Sequence, residues 1–213
     1  MTDQDIHSKS LATSTVLMEY YFNKAALPGA VMAVLNQGGV NFMLIGSHGL
    51  GGWGQNPRAT HDVDILVTAR HHPKAIRALL AAFPRFEAVD SKLMTRLLDR
   101  KTHQFGIDVL KPNRPLFRAA LRHTWVVRTG AQVYKIPTLE MALALRFASR
   151  TSTERELAGR YQDASDFMRM ARLNPGIDFP KLAEWGNLIA PEGGKELVKK
   201  VRQVRAGKKV TFF

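Results

Sequence analysis

Short apolar runs alternate with polar turns in the first part of the chain, and longer amphipathic stretches fill the rest. Apolar and β-branched runs predict strands at 40–45, 62–67, 86–89, 93–98 and 103–110, and a hairpin formed by 124–127 and 132–136. The helical period predicts helices at 11–22, 30–35 and 73–83. From residue 138 onwards the apolar positions follow the helical period. The pattern therefore predicts a part that mixes strands and helices, followed by a helical part.

Two acidic residues interrupt the second of these predicted strands. Residues i and i+2 of a strand point to the same face, so Asp62 and Asp64 would project side by side while Val63 and Ile65 turn into a core. Two carboxylates in an apolar run cost free energy unless a positive charge lies against them. Oxygen ligands of this kind suit Mg²⁺, often together with substrate phosphates. The pair predicts a metal and triphosphate site; a turn or a helix cap is the alternative for an isolated Asp-x-Asp.

Two further segments support the metal and triphosphate site. Gly46 and Ser47 follow the first predicted strand, and a turn there would leave backbone N–H groups and a hydroxyl to hold phosphate oxygens. Asp108 lies at the centre of another apolar strand. If that strand lies beside the one that carries Asp62 and Asp64, three carboxylates converge. Two metal ions could then be held between them and a triphosphate.

These features together resemble the polymerase-β-like nucleotidyltransferase superfamily: a strand ending in Gly-Ser, a loop, Asp-hydrophobic-Asp and an aspartate on a later strand. Within it, the run Arg58-x-Thr60-x-Asp62-x-Asp64 looks most like the AbiEii-type group of bacterial toxins, whose relatives include the MenT toxins. The similarity covers residues 28–170. It implies an α+β fold with a mixed β-sheet flanked by helices, and Mg²⁺-dependent transfer of a nucleoside monophosphate from an NTP.

The pattern and the resemblance together divide the chain and assign roles to residues. We expect a nucleotidyltransferase catalytic domain with N-terminal helices in 1–136, and a helical C-terminal region in 137–213. Asp108 would also help to deprotonate the acceptor hydroxyl that attacks the α-phosphate of the NTP. The expected metal ligands, which are also the expected catalytic residues, are Asp62, Asp64 and Asp108. The expected nucleotide-binding residues are Gly46, Ser47, Arg58, Thr60, Arg146 and Asp163.

Arg146 and Asp163 lie on two successive predicted helices of the C-terminal region. The resemblance implies that a basic residue on one helix and an Arg-x-x-Asp-x-x-Asp run on the next approach the nucleotide, and Arg146 and Asp163 occupy those positions. The family often has lysine where Arg146 stands, and arginine replaces a point ammonium with a planar fork. The alternative is a salt bridge between helices, from Arg146 or Arg150 to Asp163. Both can hold together.

A long glycine-rich segment, residues 48–61, separates the Gly-Ser pair from the two aspartates. The segment is on the long side for the family. Two interpretations remain open: a mobile lid over the nucleotide, or a flexible insertion. Its glycines are not followed by the Lys-Ser/Thr of a Walker-type phosphate loop, which argues against that motif.

Composition narrows the class of protein. The 213 residues are 45% hydrophobic, enough for a core, and no apolar run is long enough to span a bilayer. The absence of cysteine excludes disulfides and a thiol nucleophile. The N-terminus lacks the order of a secretion signal, so we expect a cytoplasmic protein. Lys and Arg number 31 against 18 acidic residues, a net charge of +13, which favours a nucleic-acid partner.

The basic surface and the resemblance jointly favour RNA, and within RNA the tRNA 3′ end, as the acceptor of the nucleotide. The resemblance further implies a growth-inhibiting toxin with a cognate antitoxin protein as partner. One alternative is transfer to a small molecule such as an aminoglycoside, or to a protein hydroxyl; the positive charge argues against a cationic acceptor. The other alternative is a catalytically silent module that binds RNA or a partner, against which three costly carboxylates argue.

The C-terminus carries the densest group of cations. Lys199, Lys200, Arg202, Arg205, Lys208 and Lys209 could contact RNA phosphates. In the alternative interpretation the segment is a solvated helix whose valines pack on the body of the protein: Val198, Val201 and Val204.

Overall fold

A computed structural model describes residues 2–22, 26–130, 132–150 and 156–212. The chain divides into two compact units: Met1–Gly52 with Pro57–Pro137, and Trp53–Asn56 with Thr138–Phe213. The first unit mixes a sheet with helices, and the second is helical. The predicted α+β class is therefore confirmed, while the assignment of a catalytic domain to 1–136 stays a prediction.

The first unit contains helices and strands in the order α1 (Asp3–Phe22), α2 (Pro28–Gln37), β1 (Phe42–Leu44), α3 (Gly46–Gly54), β2 (Val63–Val67), α4 (His72–Ala82), β3 (Phe86–Asp90), β4 (Met94–Asp99), β5 (Phe105–Leu110), α5 (Pro115–Ala120), β6 (Thr124–Thr129) and β7 (Gln132–Pro137). Pro73 opens α4 as predicted. The hairpin β6–β7 is confirmed. The short helix α5 has no counterpart among the predicted elements.

The five-stranded sheet has the order β1-β2-β5-β4-β3. β2 and β5 are parallel, and every other neighbouring pair is antiparallel, so the sheet is mixed. Both faces of the central strands are covered, and the fully buried side chains of this unit include Met43, Leu44, Ile65, Leu66, Leu97 and Ile107. Burial on both faces explains why β2 and β5 read as continuous apolar runs rather than as alternating ones. A carboxylate within such a run is therefore conspicuous.

The turn between β4 and β5 is fixed by one carboxylate. Asp99 Oδ1 accepts hydrogen bonds from the backbone N–H groups of Lys101 and Thr102 at 2.9 and 3.0 Å. Its other oxygen accepts one from Arg85 Nε at 2.6 Å. Aspartate is favoured at such positions because its side chain replaces a backbone acceptor in the turn. The turn returns the chain so that β5 lies between β4 and β2.

Residues 46–54 form a helix, so the expectation of a lid or a flexible insertion is wrong for the first half of segment 48–61. Glycine occupies positions 46, 49 and 52, one face of α3. A Cβ on Gly49 would lie 2.1 Å from the Leu44 carbonyl oxygen, and one on Gly52 would lie 2.1 Å from His7 Nδ1. The glycines therefore serve close packing of α3 on β1 and α1. Within segment 48–61, residues 55–61 lack regular structure.

Two buried histidines accompany this contact. His7 and His48 are each 4% exposed, and His48 Nδ1 lies 2.8 Å from Ser14 Oγ. Burial penalises the imidazolium form and lowers the pKa of each from 6.5 to about 4. For His48, the positive charge of the neighbouring Arg58 contributes to this lowering after burial. The fold therefore holds both rings neutral at neutral pH.

Acidification should destabilise the protein through these two rings. Between about pH 6.5 and about pH 4, these two histidines are protonated in the unfolded chain but neutral in the folded one. Their full contribution to the free energy of unfolding is therefore present above about pH 6.5 and is lost as the pH falls. Asp108, whose pKa is raised to about 6, partly offsets the loss. We expect a net loss on the order of 2 kcal/mol between about pH 7.5 and about pH 5, measured as the free energy of unfolding in urea. His48→Asn leaves only the His7 contribution against the same offset from Asp108, so it should show roughly a quarter of this loss. An unchanged free energy of unfolding in the parent protein would contradict the prediction.

The second unit contains α6 (Leu139–Arg150), α7 (Leu157–Leu173), α8 (Phe179–Asn187) and α9 (Gly193–Arg205), as the helical pattern after residue 138 predicts. Its buried side chains include Leu143, Phe167, Met170, Leu182, Leu197 and Val201. In α9, Val201 and Val204 are buried, whereas Lys199, Arg202 and Arg205 are exposed and Lys200 is half-buried. The packed-helix interpretation of this segment is thus observed, and it leaves the cations at the surface. Among the described helices, none combines the length and apolarity that a bilayer span requires.

Candidate active site

Three carboxylates converge on one side of the central strands. β2 and β5 are paired in register so that Asp64 is the direct neighbour of Asp108. Asp62 lies one residue before β2, although the sequence predicts it within the strand 62–67. One oxygen from each of the three carboxylates lies within 4.8 Å of the other two. The sequence predicted that these three acids converge if the strand of Asp108 lies beside the strand of Asp64, and the structure shows this arrangement.

Burial imposes an electrostatic cost on the charged form of Asp108. It is 6% exposed, and its Oδ1 has no hydrogen-bond partner among the residues that the structure describes. Burial and, next, the negative charge of Asp62 together raise its pKa to about 6, against the opposing effect of Arg96. A carboxylate in this position is stabilised by a cation placed beside it.

The donor set fits a hard divalent cation. Three carboxylates supply only oxygen ligands, which Mg²⁺ prefers over nitrogen or sulfur. The unpartnered buried oxygen of Asp108 and the mutual repulsion of the three charges are both relieved by such an ion. The residues therefore fit Mg²⁺, although they do not by themselves identify the metal.

Gly46 and Ser47 form the first turn of α3, and not the free turn that the sequence suggests. The Ile45 N–H donates to the Asp64 carbonyl at 3.0 Å, which ties the start of α3 to β2. Gly46 has φ +60°, and a Cβ there would lie 1.8 Å from Asp64 Oδ2. The N-terminus of α3 thus lies directly against a site carboxylate. First-turn N–H groups and the helix dipole make such a terminus a phosphate-binding element.

Thr60 and Arg58 lie on the irregular segment before β2. Thr60 Oγ1 donates to Asp62 Oδ1 at 2.9 Å, so this hydroxyl orients a carboxylate of the cluster. Arg58 is half-buried and close enough to His48 to lower the pKa of that ring. The roles of Gly46, Ser47, Arg58 and Thr60 in nucleotide binding stay predictions.

Arg96 is a site residue that the sequence did not single out. It lies on β4 directly opposite Asp108, with its Nε 3.5 Å from Asp108 Oδ2. Its guanidinium also lies over the Phe105 ring, 4.8 Å from the ring centroid. In the sequence Arg96 was one member of a basic cluster before the third acid. Only the antiparallel register of β4 and β5 shows that it faces Asp108.

Arg146 and Asp163 form a buried ion pair within the helical unit. Arg146 Nη1 donates to Asp163 Oδ1 at 2.6 Å, and Ser149 Oγ donates to Asp163 Oδ2 at 2.7 Å. Arg146 Nη2 lies 3.1 Å from Asp166 Oδ2. The interhelical salt bridge that the sequence allowed is therefore present; the side chain of Arg150 lies outside the described residues. A nucleotide-binding role for Arg146 and Asp163 stays a prediction.

Asp163→Ala should destabilise the helical unit by about 3 to 5 kcal/mol, because it leaves the buried Arg146 guanidinium without its main partner. Asp166→Ala is the matched control, because Asp166 pairs with the same arginine but is more exposed. We expect a loss of about 1 kcal/mol for the control. Urea unfolding measures both variants. Equal losses would contradict the assignment of Asp163 as the principal partner.

Comparisons with known proteins give similarity in structure only. The chain matches no protein-family model and no curated protein. It is similar to the crystal structure of an antigenic nucleotidyltransferase-like protein from Paracoccidioides brasiliensis, with a TM-score of 0.52 and 18% identity over 95% of this chain and 94% of that one. This likeness shows that the chain has the nucleotidyltransferase-type fold.

Two further solved structures are less similar to this chain. The solution structure of the antibiotic-resistance factor ANT(2'')-Ia has a TM-score of 0.48 and 8% identity, covering 84% of this chain and 91% of that one. Terminal uridylyl transferase 4 from Trypanosoma brucei with bound GTP has a TM-score of 0.34 and 12% identity, covering 81% and 57%.

Proposed function

We propose that the protein is a nucleotidyltransferase that transfers a nucleoside monophosphate from an NTP to an acceptor hydroxyl. The observation that carries the proposal is the convergence of Asp62, Asp64 and Asp108 beside the N-terminus of α3. A structural carboxylate cluster without a ligand would be unfavourable at this depth, since the charge of Asp62 and burial both raise the pKa of Asp108. The nucleotidyltransferase-type fold supports the same reaction class.

Each site residue has a distinct task in this proposal. Asp62, Asp64 and Asp108 would hold Mg²⁺, with two ions as the expected number, and the metal supplies charge neutralisation for the triphosphate. The first turn of α3, with Gly46 and Ser47, holds phosphate oxygens through N–H groups. Thr60 keeps the Asp62 carboxylate oriented. Arg58 and Arg146 are proposed to offset charge on the leaving group.

The reaction is an in-line substitution at phosphorus. The acceptor hydroxyl oxygen attacks the α-phosphorus, a new P–O bond forms, and the bond to the bridging oxygen breaks so that pyrophosphate leaves. The Asp108 carboxylate would help to accept the hydroxyl proton as this oxygen attacks. The positioned carboxylates and the α3 N-terminus act mainly by orientation and electrostatics, as this transfer requires.

We further propose RNA, and the tRNA 3′ end in particular, as the acceptor. The net charge of +13 exceeds what NTP binding alone requires. Part of that charge lies along α9, where a groove of about 570 Å³ is lined by Lys195, Lys199, Arg202 and Lys208. A positively charged groove of this kind can bind the negatively charged phosphate backbone of a nucleic acid without regard to base sequence. Because the Arg58-to-Asp64 motif resembles that of AbiEii-type toxins, we propose that modification of RNA makes this protein a growth-inhibiting toxin. A cognate antitoxin protein would then neutralise it.

Label transfer tests the reaction and its acceptor. Purified protein is incubated with Mg²⁺, bulk RNA and each of the four α-labelled NTPs in turn, and labelled products are separated by size. We expect label on RNA of tRNA length with the parent protein and none with Asp64→Ala. Absence of label on any acceptor would sink the enzymatic proposal. Growth inhibition that persists in cells expressing Asp64→Ala would favour the binding module instead.

The contribution of α9 is tested by charge and not by truncation, since Val201 and Val204 are part of the core. Lys199→Glu with Arg202→Glu should lower RNA affinity and reduce the slope of log affinity against log salt by roughly 0.7 to 0.9 per lost phosphate contact. Lys9→Glu with Lys74→Glu, two exposed lysines of the first unit, is the matched control. An unchanged slope in a folded α9 variant would remove this helix from the RNA surface.

A further inference from the structure

Four aromatic rings form a continuous row that runs from the end of α1 to His61, the residue before Asp62. The ring centroids of Tyr20 and Tyr21 lie 5.0 Å apart, those of Tyr21 and Phe22 lie 6.5 Å apart, and those of Phe22 and His61 lie 3.9 Å apart. His61 immediately precedes Asp62 in the chain. We call Tyr20, Tyr21, Phe22 and His61 the aromatic row. One end of the row is therefore next to a residue of the candidate active site along the chain, and the other end, Tyr20, is exposed to solvent.

The outer part of the aromatic row is unusually exposed. Tyr20 is 79% exposed and Tyr21 is 64% exposed, and Val16 one turn earlier is 63% exposed. Aromatic side chains normally gain stability by burying most of their area, so these two tyrosines contribute little to the fold. The inner rings, Phe22 and His61, contact each other closely. The row therefore offers ring faces to a ligand without any cost to packing.

We propose that the aromatic row is a stacking site for the unpaired bases at the 3′ end of the acceptor RNA; this proposal rests on the proposed nucleotidyltransferase function. The attacking hydroxyl must lie at the carboxylates, so the preceding nucleotides must leave the site along some path. The row begins at the residue before Asp62, and it therefore marks that path. Successive bases stack on exposed aromatic rings in sequence-tolerant single-strand sites, because every base has a π-face.

The position of the row favours RNA over a protein partner or a second copy of the chain. A protein interface needs no continuity with the carboxylates, whereas an acceptor strand requires it. The net charge of +13 supplies the attraction for the phosphates, so that the rings need only bind the bases. Base stacking and phosphate attraction therefore contribute separately to RNA affinity. An oligonucleotide that lacks bases but keeps its phosphates retains only the phosphate attraction, so it distinguishes the two.

The experiment compares two short single-stranded RNA oligonucleotides of equal charge, one intact and one with abasic nucleotides at its 3′ end. Fluorescence anisotropy measures their affinities for the parent protein. We expect the intact oligonucleotide to bind tighter by about tenfold for each stacked base. Tyr20→Ala with Tyr21→Ala should remove this preference and leave the affinity for the abasic oligonucleotide unchanged. Tyr20→Leu with Tyr21→Leu should do the same, because leucine keeps apolar area but has no ring.

Tyr161→Ala is the matched control, because Tyr161 is 58% exposed on α7 in the other unit. A preference for intact RNA that survives both double substitutions would overturn the stacking proposal while RNA labelling by the parent protein continues. If the parent protein neither binds nor labels RNA, the RNA acceptor and the stacking site fall together. A dimer that dissociates on Tyr20→Ala with Tyr21→Ala, with the base preference unchanged, would assign the row to a second copy and also overturn the proposal.

Discussion

Asp64→Asn should lower the rate of nucleotidyl transfer by about a thousandfold and leave the fold intact. Asparagine has nearly the same shape as aspartate, so it fits against Gly46, but it removes one of three converging charges. Loss of about 4 kcal/mol of charge stabilisation at a metal-dependent phosphoryl-type transfer corresponds to about this factor. Single-turnover label transfer from NTP measures the rate. Titration with Mn²⁺ in the absence of NTP should show a parallel loss of metal affinity.

Asp90→Asn is the matched control for this prediction. Asp90 lies on β3 of the same sheet and is exposed, with Lys111 Nζ 2.8 Å from its Oδ2. The substitution removes one carboxylate charge from the same unit without touching the cluster. We expect a change in rate of less than threefold, since exposed ion pairs contribute little. If Asp64→Asn retained a tenth or more of the parent rate, the carboxylates would not be the centre of the reaction.

Gly46→Ala should lower transfer by about a hundredfold and also lower stability. A methyl group there would lie 1.8 Å from Asp64 Oδ2, and the residue has φ +60°, a conformation that costs an L-residue roughly 1–2 kcal/mol. Either the carboxylate or the start of α3 must move. A displacement of about 1 Å at a reacting centre can cost about a hundredfold in rate. Steady-state transfer and urea unfolding on the same variant measure the two effects.

Gly130→Ala separates strain from displacement. Gly130 has φ +53°, yet a Cβ there would have no atom within 4 Å. This variant should therefore lose stability of the same order as backbone strain alone, with transfer unchanged. Gly46→Ala should lose more stability than Gly130→Ala, and only Gly46→Ala should lose activity. Parent-like transfer by a stably folded Gly46→Ala would show that the contact of α3 with Asp64 is not required.

The acidic cluster could be anticipated from the sequence because its signal is local and costly. A carboxylate in an apolar strand, as at Asp64 or Asp108, is unfavourable without a partner, so its presence in the pattern already indicates a site. The pairing of β2 with β5 was stated as a condition, and the structure supplies it. The strands and the β6–β7 hairpin follow from short apolar runs separated by turn residues, whereas the mixed sheet was implied by the family resemblance.

The parts that sequence did not predict depend on contacts between distant segments. Glycine-rich residues 46–54 suggest a loop by propensity, but close packing against Leu44 and His7 offsets the poor helix propensity. Arg96 faces Asp108 only because of strand register. Likewise, neither Phe22 nor His61 has a neighbour in sequence that predicts their ring contact. These features depend on tertiary structure, which a single sequence does not encode in any local pattern.

The parallel pairing of β2 with β5 has a consequence for the order in which the protein forms. Antiparallel β4 and β5 are joined by a tight turn, whereas β2 reaches β5 only after α4 and the hairpin β3–β4 have been made. Contacts that close long segments are entropically late events in folding. Asp64 and Asp108 therefore meet only after Leu110 has been synthesised and the sheet has closed. A nascent chain at the ribosome, surrounded by RNA, carries no assembled carboxylate cluster until that point.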